Sequence, residues 1–310
     1  MSAPTDHISL PAAKGAILHV RRHLAEGART VVQINHDLGE HGGRYDDFAR
    51  FLARHGFHVY APDHRGHGRT SAPDTPPGGL AGPAMIDSDL FDLHETIARE
   101  HPGLPVVVFG QGAGALVSAH FLFGHAPRLA GAALWNMPVA SDYGARFLSF
   151  MLRWERFRLG SDVASPTMAR IVRGWERKAG GREGSFSWLS DDPAAIEAYL
   201  ADPACGREPT VGAWIAVLRM MSHASRTRAW EGLPRDLPLH IAAGGADPAT
   251  NLGNMVKDFT SHLNRAGFSN LVSRRYPEGR HDLVNGLNRD VIWRDFAEWL
   301  EALAGSTASP

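Results

Sequence analysis

The chain has 310 residues, of which 44% are hydrophobic and 21% charged, so it can bury a substantial core as one large or two ordinary domains. A formal net charge of -1 excludes the basic field that attracts nucleic acid, and the single cysteine, Cys205, excludes a disulfide framework or a cysteine-rich metal site. Because the sequence has no signal-peptide pattern and no apolar span of about 18 residues, we expect a cytoplasmic protein.

Short apolar runs alternate with amphipathic ones along the first half of the chain, which is typical of βαβ units on a mostly parallel sheet. Residues 15–27 predict an antiparallel strand at the sheet edge. Buried strands are then predicted at TVVQIN (30–35), HVYAPD (58–63), PVVVFG (105–110) and AGAALWNM (130–137). Helices are predicted between them at 44–56, 85–103 and 114–127, where apolar residues recur at helical spacing and the pattern ends at Gly or Pro.

The alternation of strand and helix patterns stops over residues 141–233, which hold consecutive helical patterns without a strand signal. These lie at 143–157, 165–178, 192–202 and 211–226. Strands return at PLHIAAG (238–244) and at the start of LVSRRYPEGRHDL (271–283), with a helix between them and a closing helix at 291–303. The sequence therefore predicts an α/β fold made of a core in two parts, 1–140 and 234–310, with a helical cap inserted at 141–233.

One strand, turn and helix holds three glycines at every second position, in LPVVVFGQGAGALVSAHFL (104–122). In the pattern G-x-S-x-G at such a turn, the middle residue is the serine nucleophile of an α/β-hydrolase. Gly112 stands at that position here. The flanking Gly110 and Gly114 still permit close packing of the strand on the helix, so the departure is local.

Longer segments carry a family resemblance. INHDLGEHGGRYDDFARFLARHGFHVYAPDHRGHGRT (34–70) is similar to the "HGxGEHxGRY … RGHG" segment of the monoacylglycerol lipases and lysophospholipases of the α/β-hydrolase fold. LSDDPAAIEAYLADPAC (189–205), GGADP (244–248) and EGRHDLVNGLNRD (278–290) resemble later segments of that family, in the same order. The resemblance covers nearly the whole chain and implies the α/β-hydrolase fold.

The resemblance also implies a catalytic triad in the order nucleophile, acid, base. Asp247 would be the acid and His281 the base, so that the imidazole takes the nucleophile's proton while the carboxylate fixes its tautomer. The alternatives for the two residues are a turn or helix cap for Asp247 and an ordinary surface position for His281, one of 17 histidines.

Glycine at position 112 has no oxygen with which to form an acyl-enzyme, and the nearest downstream serine, Ser118, falls well inside the following helix. Loss of the serine from a working triad costs on the order of a millionfold in kcat. Ser and Gly codons differ by one base, so the sequence leaves open whether the change is natural or introduced.

The resemblance places the two donors of an oxyanion hole at the backbone N–H groups of Leu38 and Ala113. The family usually has Gly after His36, whereas this chain has Asp37. A carboxylate of Asp37 that pointed into the pocket would be in contact with the substrate and would oppose a developing oxyanion. The alternative is that Asp37 turns outward and caps a turn.

Two histidine pairs, His36 with His41 and His64 with His67, could suggest a metal. Neither pair has the H-E-x-x-H context or a third ligand nearby, and the resemblance explains them as residues that brace loops. We therefore expect no metal and no cofactor. The glycines of DHRGHGRT are expected in tight turns, since no phosphate-loop pattern follows them.

Apolar residues crowd one segment of the cap, namely Phe147, Leu148, Met151, Leu152 and Trp154. They resemble the rim through which acyl substrates enter in the family, with Phe147, Met151 and Trp154 expected to contact substrate. Packing of the cap on the core explains the same stripe equally well. Transient contact of this cap with a membrane surface stays open, as does the oligomeric state.

Three functional hypotheses follow. The chain is an ester-hydrolase relative inactive as a serine hydrolase, a non-catalytic protein that binds an acyl ligand, or an enzyme that uses His281 and Asp247 without a serine. The first is our preferred prediction, with a small acyl ester or lipid as the ligand. The acyl-chain length is not specified by the sequence.

Overall fold

The computed structural model describes residues 6–139 and 142–307. Its strands are β1 (Asp6–Pro11), β2 (Ile17–His23), β3 (Thr30–Asn35), β4 (Phe57–Pro62), β5 (Val106–Gln111), β6 (Gly131–Trp135), β7 (Leu239–Gly244) and β8 (Leu271–Tyr276). Its helices are α1 (Asp46–Arg54), α2 (Pro83–Glu100), α3 (Ala113–His125), α4 (Asp142–Leu159), α5 (Pro166–Lys178), α6 (Pro193–Ala201), α7 (Val211–Ala224), α8 (Thr227–Glu231), α9 (Asn254–Arg265) and α10 (Arg289–Thr307).

The strands form a single sheet in the order β1-β2-β4-β3-β5-β6-β7-β8. From β4 to β8 every neighbouring pair is parallel, while β2 pairs antiparallel with both β1 and β4. Parallel strands covered on both faces are buried along their length, and all six residues of β3, β4, β5 and β7 are buried. The predicted α/β fold with a mostly parallel sheet is confirmed.

The prediction that residues 15–27 form an antiparallel strand was right, but the prediction that this strand lies at the sheet edge was wrong. That segment contains the antiparallel strand β2, but β1 lies outside it at the sheet edge. The run that forms β1 is short and half exposed, so it gave no buried-strand signal. Pro11 suits this place because proline has no backbone N–H to donate, and an edge strand has a neighbouring strand on one side only.

Two apolar layers cover the two faces of the sheet. Successive residues of β3 alternate between them, since Val31 belongs to one layer and Val32 to the other. One layer receives α2, α3 and α9, and the other receives α1 and α10. The sheet is thus held between helices, which leaves the loops at the carboxyl ends of its strands free to build a site.

Helices α4 to α8 follow one another between β6 and β7, and the described residues of that stretch form no sheet strand. Helix α7 packs on both α3 and α4. This arrangement agrees with a helical insertion, while the division into 1–140, 141–233 and 234–310 stays a prediction. Residues 140 and 141, at its first boundary, lie outside the described residues.

Candidate active site

Four loops meet at the carboxyl edge of the parallel strands. They follow β3, β5, β7 and β8, and they carry Asp37, Gly112, Asp247 and His281 respectively. This edge is where open α/β sheets present their ligand-binding groups. The sequence separates these residues widely, and the sheet topology brings them together.

Asp247 and His281 are hydrogen-bonded, with 3.0 Å between Asp247 Oδ2 and His281 Nδ1. Both side chains are buried. The Asp247 carboxylate also accepts hydrogen bonds from the Thr250 hydroxyl at 2.8 Å and from the Ala249 backbone N–H at 2.9 Å. Asp247 therefore caps a turn, as one alternative supposed, and at the same time orients the imidazole.

The backbone of His281 is fixed from two neighbouring strands. Asn136, which follows β6, donates from its amide to the carbonyls of Arg280 and His281 at 2.9 and 2.8 Å. Gln111, the last residue of β5, accepts from the Leu283 N–H at 2.9 Å and donates to Asp282 Oδ1 at 3.1 Å. Both are positioning residues that the sequence analysis missed, because nothing in their local pattern marks the loop they contact.

Gly112 occupies the turn between β5 and α3 with φ 58° and ψ -123°. This conformation is costly for a residue with a side chain. An added Cβ would lie 2.7 Å from His281 Nε2 and closer still to Asp37 Oδ2, so neither neighbour leaves room for it. At Gly110 and Gly114 an added Cβ would meet backbone carbonyls, which confirms the close strand-to-helix packing expected of these two glycines.

The carboxylate of Asp37 points into the site, which is the first of the two orientations considered for it. Its Oδ1 accepts hydrogen bonds from the backbone N–H groups of Leu38 and Ala113, both at 2.7 Å. Its Oδ2 lies 2.8 Å from His281 Nε2. The two N–H groups predicted to form an oxyanion hole therefore do converge on one point, and a carboxylate oxygen of the chain itself occupies it.

The imidazole of His281 lies between two carboxylates. Burial alone would lower the pKa of His281, but the negative charges of Asp247 and Asp37 and their hydrogen bonds to the ring raise it well above its usual value. The raised pKa favours an imidazole that is protonated on both nitrogens, which would donate to both carboxylates. Such an imidazole has a proton to deliver to a ligand.

Glu40 stands behind Asp37. One of its oxygens accepts from the Asp37 backbone N–H at 2.9 Å and from the Tyr45 hydroxyl at 2.7 Å. Burial, together with the negative charges of Asp282 and Asp37, raises the pKa of Glu40 to about 8. A protonated Glu40 adds no further negative charge beside the Asp37 carboxylate at neutral pH.

The histidines of the two pairs contribute hydrogen bonds around the loops. His36 Nε2 accepts from the His64 backbone N–H at 2.9 Å, and burial lowers the pKa of His36, His64 and His67, so these rings are neutral. In the tight turn that follows, Gly66 and Gly68 have φ 80° and 51°, which confirms the turn prediction.

The expectation that neither histidine pair has a further ligand nearby was wrong for His41, because the fold brings Asp202 and Cys205 to it from a distant segment. These three residues have the donor spacing of a metal site. His41 uses both ring nitrogens in hydrogen bonds, one accepting from the Gly43 N–H and the other 2.8 Å from Asp202 Oδ2. Burial raises the pKa of the Cys205 thiol, so a thiolate is disfavoured. These bonds explain the group without a metal.

Trp188 is a further residue that the sequence analysis missed. Its ring lies 5.0 Å from the His281 ring, and its indole N–H is buried without a hydrogen-bond partner among the described residues. Burying an unpaired hydrogen-bond donor costs free energy unless a ligand accepts a hydrogen bond from it. No motif marks Trp188 in the sequence, because only the folded structure brings it next to His281.

The cap residues divide between the core and solvent. Leu152 is fully buried in the main apolar layer, whereas Phe147 and Trp154 are 68% and 49% exposed and Met151 is partly buried. Two further aromatic residues of α4, Phe150 and Phe157, are exposed on the same helix. Packing thus accounts for part of the stripe, and a substrate role for Phe147, Met151 and Trp154 stays a prediction.

The described residues include no helix that is both long enough and apolar enough to cross a bilayer.

Comparison with known proteins places the chain in a family. The family model described as "Serine aminopeptidase, S33" matches residues 26–288. The chain is 26% identical over 282 residues to a monoacylglycerol lipase of Mycolicibacterium smegmatis, covering 88% of each chain. It is 29% identical over 97 residues, or 29% of each chain, to the human monoglyceride lipase.

Solved structures support the same fold. A carboxyl esterase from Bacillus coagulans, solved with glycerol, superposes with a TM-score of 0.87 at 22% identity, covering 98% of this chain and 100% of that one. A soluble variant of the monoglyceride lipase from Saccharomyces cerevisiae, solved with a substrate analogue, gives 0.78 at 14% identity, covering 98% and 96%. The α/β-hydrolase fold implied by the sequence is confirmed.

Proposed function

Because this chain belongs to the serine aminopeptidase S33 family, we propose that it is a monoacylglycerol-lipase-like α/β-hydrolase that does not act as a serine hydrolase. One observation carries this proposal. The place of the serine side chain is taken by the carboxylate of Asp37, which lies over Gly112 and between His281 and the two N–H groups of Leu38 and Ala113. Acyl transfer to a serine needs a hydroxyl there and an empty oxyanion hole.

The arrangement opposes ester hydrolysis in two independent ways. Gly112 offers no nucleophile, and the Asp37 carboxylate holds both oxyanion donors. A substrate carbonyl would therefore develop its negative charge beside an existing one. Loss of a single oxyanion donor costs roughly a hundredfold to a thousandfold in kcat, and here both are occupied.

The nearest serine cannot replace the missing one. Ser118 is completely buried in α3, and its hydroxyl oxygen accepts a hydrogen bond from the Asn35 amide at 2.8 Å. It is a core residue that joins α3 to the end of β3. A nucleophile must instead reach the ligand and be activated by a base.

The ligand that we propose for this site is a small neutral acyl ester or lipid. A neutral group avoids repulsion by Asp37, whereas a free fatty acid would bring a second carboxylate to the same donors. Helices α4 to α8 would form the cap over the site, with Phe147, Met151 and Trp154 along the approach of the acyl chain. The relatives named as monoacylglycerol lipases support this class of ligand.

A fluorophosphonate probe tests the proposal, because it labels activated serines covalently. We expect no addition to the intact protein, and no turnover of short-chain nitrophenyl esters above a His281→Ala control. The variant Gly112→Ser combined with Asp37→Gly is the matched positive control, since it restores the hydroxyl and empties the oxyanion hole. Addition of the probe to Ser118 or to any other serine of the wild-type protein would show that the protein is a serine hydrolase after all.

A further inference from the structure

The Asp37 carboxylate has two oxygens in different surroundings. Oδ1 accepts from the backbone N–H groups of Leu38 and Ala113, whereas the only hydrogen-bond partner of Oδ2 among the described residues is the His281 imidazole. Oδ2 is also the atom that an added Cβ at Gly112 would approach most closely, so it lies in the space that a side chain at the turn would fill. The Asp37 side chain retains 12% of its exposure and is therefore not sealed into the core.

We propose that Asp37 is itself a nucleophile, and that the protein opens epoxides carried on apolar chains to give diols, through an ester formed on Asp37. Carboxylates of Asp and Glu serve as nucleophiles in covalent catalysis. This activity goes beyond the proposed function above, which concerns the loss of serine chemistry, and it makes use of the group that blocks that chemistry.

The position of Oδ1 selects the kind of carbon that Asp37 could attack. Attack on an ester carbonyl would create an oxyanion on the substrate, and the two donors that could stabilise it are already bonded to Oδ1. Attack on a saturated carbon creates no oxyanion of that kind. It leaves Oδ1 as the carbonyl oxygen of a new ester, already placed in the oxyanion hole for the second step.

The neighbouring imidazole selects the leaving group. His281 Nε2 lies 2.8 Å from the attacking oxygen, and the charges of Asp247 and Asp37 favour a proton on it. An epoxide is a strained electrophile whose leaving oxygen needs one proton. The Trp188 ring lies 5.0 Å from the imidazole, and its buried indole N–H has no hydrogen-bond partner among the described residues. A neutral epoxide also brings no charge to oppose Asp37.

In the first step Oδ2 forms a bond to one ring carbon of the epoxide while the bond from that carbon to the epoxide oxygen breaks. The released oxygen takes the proton from His281 Nε2. The products are a hydroxyalkyl ester of Asp37 and a neutral imidazole. Because the Asp37 charge is now gone, only Asp247 still raises the pKa of His281, and the ring can accept a proton.

In the second step water adds to Cγ of Asp37 and gives a proton to His281 Nε2. The negative charge appears on Oδ1, where the N–H groups of Leu38 and Ala113 hold it. Collapse breaks the bond between Cγ and Oδ2, and the departing diol takes the proton from His281. The new Asp37 acid then returns its proton to the imidazole, so the net reaction is epoxide plus water to diol.

The source of the diol oxygen tests this sequence in the wild-type protein. A series of terminal alkyl epoxides, from short to long chains, is incubated with excess protein in oxygen-18 water for a single turnover. We expect a diol without oxygen-18. The mass of the Asp37 peptide should increase by the difference between one oxygen-18 atom and one oxygen-16 atom. Label in the diol with an unlabelled Asp37 peptide would show direct attack by water, and absence of diol from every epoxide would equally overturn the proposal.

Two variants separate the nucleophile from its partner. Asp37→Asn should reduce diol formation by roughly a thousandfold or more, whereas Asp236→Asn, an exposed aspartate away from the site, should leave it unchanged. His281→Gln removes the acid of the first step and the base of the second, so diol formation should fall by roughly a thousandfold or more in this variant too. Any ester that still forms should appear as an intact-mass increase equal to the epoxide and map to the Asp37 peptide. Adduct on another residue would assign the nucleophile elsewhere. The proposed function fails instead by probe labelling of a serine, so the two outcomes are distinguishable.

Discussion

Placing a serine at position 112 should destabilise the protein in a way that depends on Asp37. The φ of 58° and ψ of -123° at Gly112 cost a residue with a side chain about 1 to 3 kcal/mol. The added Cβ also displaces the Asp37 carboxylate, and a hydrogen bond to a charged group contributes roughly 1.5 to 3 kcal/mol. Gly112→Ser should therefore lower the free energy of unfolding by roughly 2.5 to 6 kcal/mol in the wild-type background.

In the Asp37→Gly background the same serine should cost only the backbone component, about 1 to 3 kcal/mol. Urea unfolding of the four proteins in this cycle measures the coupling between the two positions. Gly112→Ala is the matched control, because it adds the same Cβ without a hydroxyl and should reproduce the stability loss without ester turnover. Turnover of nitrophenyl esters should be higher in the double variant than in Gly112→Ser alone.

Positions that do not interact have additive effects to within roughly 0.5 kcal/mol. A coupling smaller than that would show that the Asp37 carboxylate does not occupy the space over Gly112. Equal ester turnover in the single and double variants would likewise refute the argument that Asp37 blocks the oxyanion hole.

Three further outcomes are expected. The pKa of Glu40 rises from 4.5 to about 8 on folding, so the folded state holds an extra proton between these pH values. The free energy of unfolding should therefore fall as pH rises through this range, by at most ~4–5 kcal/mol at ~1.4 kcal/mol per pKa unit. Urea titrations should show a smaller fall in Glu40→Gln, and parallel curves for the two proteins would contradict the assignment. A long-chain monoacylglycerol should raise the melting temperature by binding the native state, and calorimetry that found no shift at any chain length would remove the acyl-ligand proposal. The exposed aromatic residues and arginines of α4 should bind vesicles of phosphatidylcholine with phosphatidylserine. Co-sedimentation with these vesicles should weaken in Phe150→Ser combined with Phe157→Ser, but not in Leu287→Ser, which changes an exposed leucine outside the cap. Equal binding by the wild type, the double variant and Leu287→Ser would exclude this surface.

The sheet was predictable because its central strands are buried along their whole length. TVVQIN and PVVVFG are apolar runs bounded by turn residues, and such runs can hardly form anything else in a chain of alternating elements. The edge strand β1 was not predictable in the same way. Its exposed residues give it no continuous apolar run, and its pairing with β2 depends on the turn between them.

The candidate site was predictable as a set of residues but not as an arrangement. Gly112 and Asp37 were each recognised as a departure from the family pattern, on separate segments 75 positions apart. That one departure makes room for the other follows only from the distances between them, because the missing side chain and the added carboxylate compete for the same space. The supporting contacts of Gln111, Asn136 and Glu40 also join distant loops, so local sequence patterns could not reveal them.

The bridging position of Asp37 is tested most directly by nitrogen-15 NMR of the histidine side chains, with His281→Gln identifying the His281 signals among the 17 histidines. We expect His281 to keep both ring nitrogens protonated at pH 7 in the wild type, and Asp37→Asn to lower the pKa of His281 because one of its two carboxylate partners is gone. A wild-type His281 that is neutral at pH 7, or that titrates identically in Asp37→Asn, would contradict the bridging of His281 by Asp37.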